Sequence, residues 1–65
     1  MTNDSIPFTA RQRVGCTDDS KARGTVIENP SGRTVLVRWD FDTNPYGVGA
    51  PRRYFEMADR LTAVH

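Results

Sequence analysis

Gly24-Thr25-Val26-Ile27-Glu28, Asn29-Pro30-Ser31-Gly32-Arg33 and Thr34-Val35-Leu36-Val37-Arg38-Trp39-Asp40 follow one another and decide the fold. The outer two segments are rich in β-branched and aromatic residues, which suit a pleated, half-buried surface. Pro30 and Gly32 favour a turn between them, so the stretch reads as a β-hairpin. Side chains alternate along a strand, which places Val35, Val37 and Trp39 on one face and Thr34, Leu36, Arg38 and Asp40 on the other. The first set is the candidate core. On the preceding strand Val26 and Gly24 share that core face, while Thr25 and Ile27 point outward. Ile27 and Leu36 then form an apolar spot outside the core, the candidate surface for a dimer or partner.

Three further strand signals flank the hairpin. Arg13-Val14-Gly15-Cys16 precedes it, after which a polar loop carries Asp18, Asp19 and Lys21; Arg53-Tyr54-Phe55-Glu56 and Leu61-Thr62-Ala63-Val64 follow. Five short strands in so short a chain predict an all-β fold, a small closed five-stranded barrel, with one helical turn at Met57 to Asp59. The barrel is expected to span residues 11–65. Residues 1–10 read as a flexible arm in which Thr2 to Ser5 are polar and aperiodic. Ile6-Pro7-Phe8 is the exception, since two apolar residues flanking a proline suit docking across an open end of the barrel.

Sixty-five residues amount to one domain. A domain of this size buries only about 60% of the surface its unfolded chain exposes, so extra core or oligomerisation would help it. The single cysteine, Cys16, excludes an internal disulfide and reads as a small buried side chain. With no signal-like segment and no apolar run of membrane-spanning length, the chain is expected to be cytoplasmic. Nine basic against eight acidic residues leave a net charge of +1, which argues against a large electrostatic footprint on nucleic acid. Eight of the nine cations are nevertheless arginine, the residue suited to bidentate carboxylate or phosphate contacts and to stacking on rings.

The connection from Phe41 to Arg53 is long for a hairpin, and long loops in compact domains are usually functional or mobile. Phe41, Tyr46 and Tyr54 stand near Arg52 and Arg53, with Asp42 beside them. Such a set suits two partners: a peptide or cationic side chain in an aromatic pocket closed by Asp40 and Asp42, or single-stranded bases stacked on the rings with phosphates on the arginines. Phe41, Asp42, Tyr46, Arg52, Arg53 and Tyr54 are therefore the candidate binding residues, and Trp39 adds aromatic area of the kind enriched at interfaces. Gly47-x-Gly49 lacks the following helix and lysine that a phosphate loop uses.

Catalytic chemistry is thin. Cys16 and His65 are one of each kind and have no zinc spacing, and Asp18-Asp19 and Asp40-x-Asp42 fall in turn-prone sequence where aspartate satisfies backbone donors. No metal, no cofactor and no catalytic residue is expected.

The order of strand, polar loop, Gly24-x-Val26 step and Val35-x-Val37-x-Trp39-Asp40 strand, closed by Arg60-Leu61, resembles the SH3-like barrel superfamily, notably its KOW-like and Tudor-like members. The resemblance covers about residues 11–64. It implies the fold far more than the function, since small barrels of this kind host many unrelated activities. The KOW-like likeness implies a nucleic-acid partner as the alternative to a protein or peptide. The segment from Tyr54 to Leu61 is also similar to the type II dihydrofolate reductases, tiny barrels that act as tetramers around one pore. There a Val-Gln-Ile-Tyr segment forms the pore floor, whereas Pro51-Arg52-Arg53-Tyr54 keeps only the tyrosine, and four copies of two arginines would repel across such a pore. The expectation is a non-catalytic, intracellular binding module, an accessory or inhibitory protein of the kind phages and mobile elements encode.

Overall fold

The structure is a computed structural model that describes residues 8–31 and 33–64. It contains strands β1 (Arg13–Cys16), β2 (Asp19–Ser31), β3 (Thr34–Trp39), β4 (Arg53–Met57) and β5 (Leu61–Ala63). All five join one antiparallel sheet in the order β4-β3-β2-β1-β5. Among the described residues no second layer faces the sheet, so its apolar side is buried by the sheet curling around it. Phe8, Val14, Cys16, Ala22, Val26, Val35, Val37, Trp39 and Leu61 form this core, with Tyr54 and Ala58 packed against it.

The hairpin faces fall as the alternation predicts. Val35, Val37 and Trp39 are wholly buried, and Gly24 lies opposite Trp39 in the β2–β3 register. A Cβ on Gly24 would stand 2.8 Å from Trp39 Cε3 and 2.9 Å from Val37 Cγ1, so the indole occupies the space that any larger residue would need.

Several boundaries differ from the sequence reading. The expected polar loop before Gly24 shrinks to a turn at Thr17 and Asp18, because β2 begins at Asp19 and buries Ala22 completely. Its 13 residues also run on through Ser31, past the Asn29-Pro30 pair expected to turn the chain. The helical turn is a 3-10 turn at Ala58–Arg60, one residue later than expected, and a second occurs at Phe41–Thr43.

Of the apolar arm segment, Phe8 is buried in the core, while Ile6 and Pro7 lie outside the described residues. The chain after Phe8 is stitched onto β2: Arg11 N–H donates to the Val26 carbonyl at 2.7 Å, and Val26 N–H donates to the Gln12 carbonyl at 2.9 Å. Arg11 adopts φ 74° to make this clip, a left-handed conformation uncommon outside glycine.

Candidate functional site

The long loop is ordered by one residue that the sequence reading passed over. Asn44 is buried; its amide donates to the carbonyls of Ala50 and Pro51 at 3.4 and 3.0 Å, and its Oδ1 accepts the Tyr46 N–H at 2.9 Å. Gly47 and Gly49, with φ of 114° and 94°, supply the left-handed turns inside this frame, so their spacing serves loop geometry. The frame delivers Tyr46 onto Tyr54, with ring centroids 3.8 Å apart and planes 23° from parallel.

Beneath the stacked pair lies Glu56, only 4% exposed. Its Oε2 accepts the Trp39 Nε1–H at 3.1 Å and the Tyr46 hydroxyl at 2.6 Å, and Arg60 approaches Oε1 to 3.7 Å. Burial, then the hydrogen bond to Glu56, pushes the Tyr46 pKa up to about 12. Tyr46 is 42% exposed, but its hydroxyl is the end that reaches the buried carboxylate. The cluster satisfies polar atoms of three core-facing side chains, as buried polar groups require. Sequence reasoning missed Glu56 because a charged residue reads as surface. The available signal was the alternation that sets Tyr54 and Glu56 on one face of β4, together with a core tryptophan whose N–H needs an acceptor.

The predicted binding residues therefore divide. Tyr46 and Tyr54 come together as a cap over the core; Trp39 is buried beneath them and offers no contact area, correcting its place in the aromatic set. Phe41 and Asp42 are exposed on the 3-10 turn, and Arg52 is exposed with its Nε donating to the Trp39 carbonyl at 2.9 Å. Arg53 alternates to the opposite face of β4 from Tyr54, so Arg53 and the tyrosines do not share one surface.

That opposite, outer face carries its own order. The registers align Arg13, Thr25, Arg38 and Arg53 in one line across β1, β2, β3 and β4. The next line is Glu28, Leu36 and Phe55. Phe55 is 64% exposed and Met57, farther along the same edge strand, 46%. Ile27 and Leu36 are both half-buried. Ile27 sits at a β-bulge and falls out of register, so the apolar neighbour directly across from Leu36 is Phe55.

Charge on this face is only partly neutralised. Arg13 grips Asp40 with two hydrogen bonds, of 3.0 and 2.6 Å, and also donates to Thr25 Oγ1 at 2.9 Å. Hydrogen bonding from Arg13 holds the Asp40 carboxyl below the ordinary aspartate value. Arg38 and Arg53 stand directly opposite each other and make no salt bridge among the described residues. Like charges facing each other across a ladder destabilise it.

Elsewhere Asp18, Asp19 and Cys16 are engaged in structure. Asp19 Oδ1 accepts the Lys21 N–H at 3.0 Å, Asp18 pairs with Arg60 at 3.2 Å, and Cys16 is buried with an Arg60 nitrogen 3.7 Å from its sulfur. An open cleft beside β1 and β5 includes Arg23, but that guanidinium already donates to the carbonyls of Ser20 and Ala22. Among the described residues no three potential metal ligands converge, and no helix is long and apolar enough to cross a membrane. Comparison of the chain with family models, curated proteins and solved structures gives no match in any of the three.

Proposed function

We propose that this domain is a non-catalytic, SH3-like binding module whose ligand is a protein or peptide, seated on the outer face of β3 and β4. The observation that carries the reading is the Arg38–Arg53 pair beside exposed Phe55. Two cations that make no salt bridge among the described residues are placed side by side next to apolar area at the rim of the sheet, an arrangement that rewards an anionic, partly apolar partner. Asp18, Asp19, Asp40 and Glu56 are engaged in a backbone turn, ion pairs or the buried cluster, which suits a binding role.

A protein ligand fits this face better than single-stranded nucleic acid. Base stacking uses successive exposed rings, whereas Phe55 is here flanked by the aliphatic Leu36 and Met57, and both tyrosines cap the core.

The test is capture from a nuclease-treated lysate on the immobilised parent chain, Phe55→Ser and Arg53→Glu. The reading expects a protein retained by the parent and released by both variants. A ligand that disappears on nuclease treatment overturns it, as does one held equally by all three.

A further inference from the structure

We infer that the free edge of β4 accepts an extended segment as a sixth strand, and that this segment carries an acidic residue two positions from an apolar one. The inference rests on the protein-binding reading of the outer face and adds the geometry and chemistry of the partner.

β4 ends the sheet, with β3 on one side and, among the described residues, no strand on the other. Trp39 N–H donates to the Arg52 carbonyl at 2.7 Å, and Ala58 N–H donates to the Arg33 carbonyl at 2.8 Å. In an antiparallel ladder the main-chain groups of alternate residues point to alternate sides, so these two bonds fix the phase. Tyr54 and Glu56 address β3; Arg53, Phe55 and Met57 turn their N–H and C=O groups outward. No described residue bonds to those outward groups.

The same three residues carry the exposed side chains of β4. A strand added at this edge therefore sets the residues opposite Arg53, Phe55 and Met57 on the outer face, spaced two apart. Opposite Arg53 it extends the line in which Arg38 and Arg53 make no salt bridge among the described residues, and a carboxylate there offsets the charge of Arg53. Opposite Phe55 it extends the Leu36–Phe55 line, where an aromatic or branched side chain packs. An antiparallel strand also turns the main-chain groups of these same residues toward β4, so the added strand is antiparallel.

A second copy of this chain is the obvious rival occupant. Pairing β4 with itself about Phe55 would place Arg53 against Met57 of the copy and bring no carboxylate to Arg53. Charge complementarity thus selects an acidic segment.

The experiment uses the full chain and a synthetic Thr/Val-rich extended peptide with Glu two positions after Phe, the order that an antiparallel strand needs to set them opposite Arg53 and Phe55. Controls are the same peptide with Lys for Glu and one N-methylated at the Glu and Phe amides. Binding is read by titration and by amide exchange. The Glu peptide should bind and slow exchange at Arg53, Phe55 and Met57; the Lys peptide should bind about tenfold weaker, and Arg53→Glu should reverse that preference. N-methylation should abolish binding. Phe55→Pro removes the phenyl ring and an outward-facing N–H but no ladder bond, and should fold yet lose the peptide, whereas Phe55→Thr, which loses the ring but keeps that donor, should retain part of the affinity.

Equal binding of the N-methylated peptide, or unchanged exchange at the three amides, overturns edge addition while leaving a protein-binding face intact. Absence of binding by the Glu peptide at millimolar concentration also overturns it. A parent chain that sediments as a dimer and becomes monomeric in Phe55→Lys assigns the edge to a second copy. A single-stranded oligonucleotide that binds and is lost in Arg38→Gln with Arg53→Gln overturns this inference and the protein-binding reading together.

Discussion

The Tyr46 hydroxyl donates to Glu56 Oε2 across 2.6 Å, and this bond fastens the long loop to the edge strand it precedes. The connection is therefore part of the packing, since Asn44 shapes it, Tyr54 receives its ring and Glu56 its hydroxyl. Tyr46→Phe should cost about 1.5–3 kcal/mol, the range for a hydrogen bond to a charged group, as measured by urea denaturation at neutral pH. It should also change the alkaline limb. The folded-state pKa of about 12 exceeds the ordinary 10.0, so the folded protein holds this proton more tightly than the unfolded chain. The resulting stabilisation is complete below about pH 10 and is lost as pH rises through about 12. The parent should lose stability over that window more steeply than Tyr46→Phe, and parallel curves would place the raised pKa elsewhere.

Trp39 is wholly buried and also donates to Glu56, so Trp39→Ala removes core volume and a partner of the carboxylate together. The expected loss is about 3–5 kcal/mol, enough to unfold most of a domain whose stability is of the order of 5 kcal/mol. Thermal melting by circular dichroism checks it. A melting point within a few degrees of the parent would contradict the core assignment.

Gly24→Ala should destabilise by about 1–3 kcal/mol, because the new methyl group meets the Trp39 ring and the Val37 side chain inside contact distance. The double variant Gly24→Ala, Trp39→Phe relieves part of that clash, so its loss should fall short of the sum of the two single losses. Strict additivity in chemical denaturation would show that the indole does not cause the restriction.

What the sequence made legible follows from strong alternation. Val35, Val37 and Trp39 announce their buried face because nothing polar interrupts it, and Val26 with Gly24 follows by pairing. Less visible was the role of β4, where Tyr54 and Glu56 are the inward pair and the more hydrophobic Phe55 and Met57 face out. Local hydrophobicity gives the wrong phase there, and tertiary demand overrides it: Trp39 and Tyr46 need a buried acceptor, which only the inward carboxylate supplies. The start of β2 was hidden for a related reason. Asp19, Ser20 and Lys21 are turn-prone locally, yet Ala22 has to reach the core and draws them into the strand.

The Arg13–Asp40 pair makes a smaller, pH-dependent contribution. Both side chains are more than a third exposed, so Asp40→Asn should cost about 0.2–1 kcal/mol at neutral pH. Because the folded-state pKa of Asp40 lies below the ordinary 3.8, the contribution is present above that value and disappears as pH falls through the depressed one. The difference between parent and Asp40→Asn should shrink in strong acid. A difference that persists there, or that survives in an Arg13→Gln background, would show that the ion pair is not its source.

Phe55 should separate binding from folding. Its side chain is largely exposed and lies across the ladder from half-buried Leu36, so Phe55→Thr removes little buried area and substitutes a residue equally suited to strands. Stability should change by less than about 0.5 kcal/mol, while solubility rises as an apolar residue leaves the sheet edge. Capture of a partner should weaken in the same variant. A loss of several kcal/mol in urea denaturation would instead make Phe55 part of the packing, and the outer face would then owe its apolar character to folding.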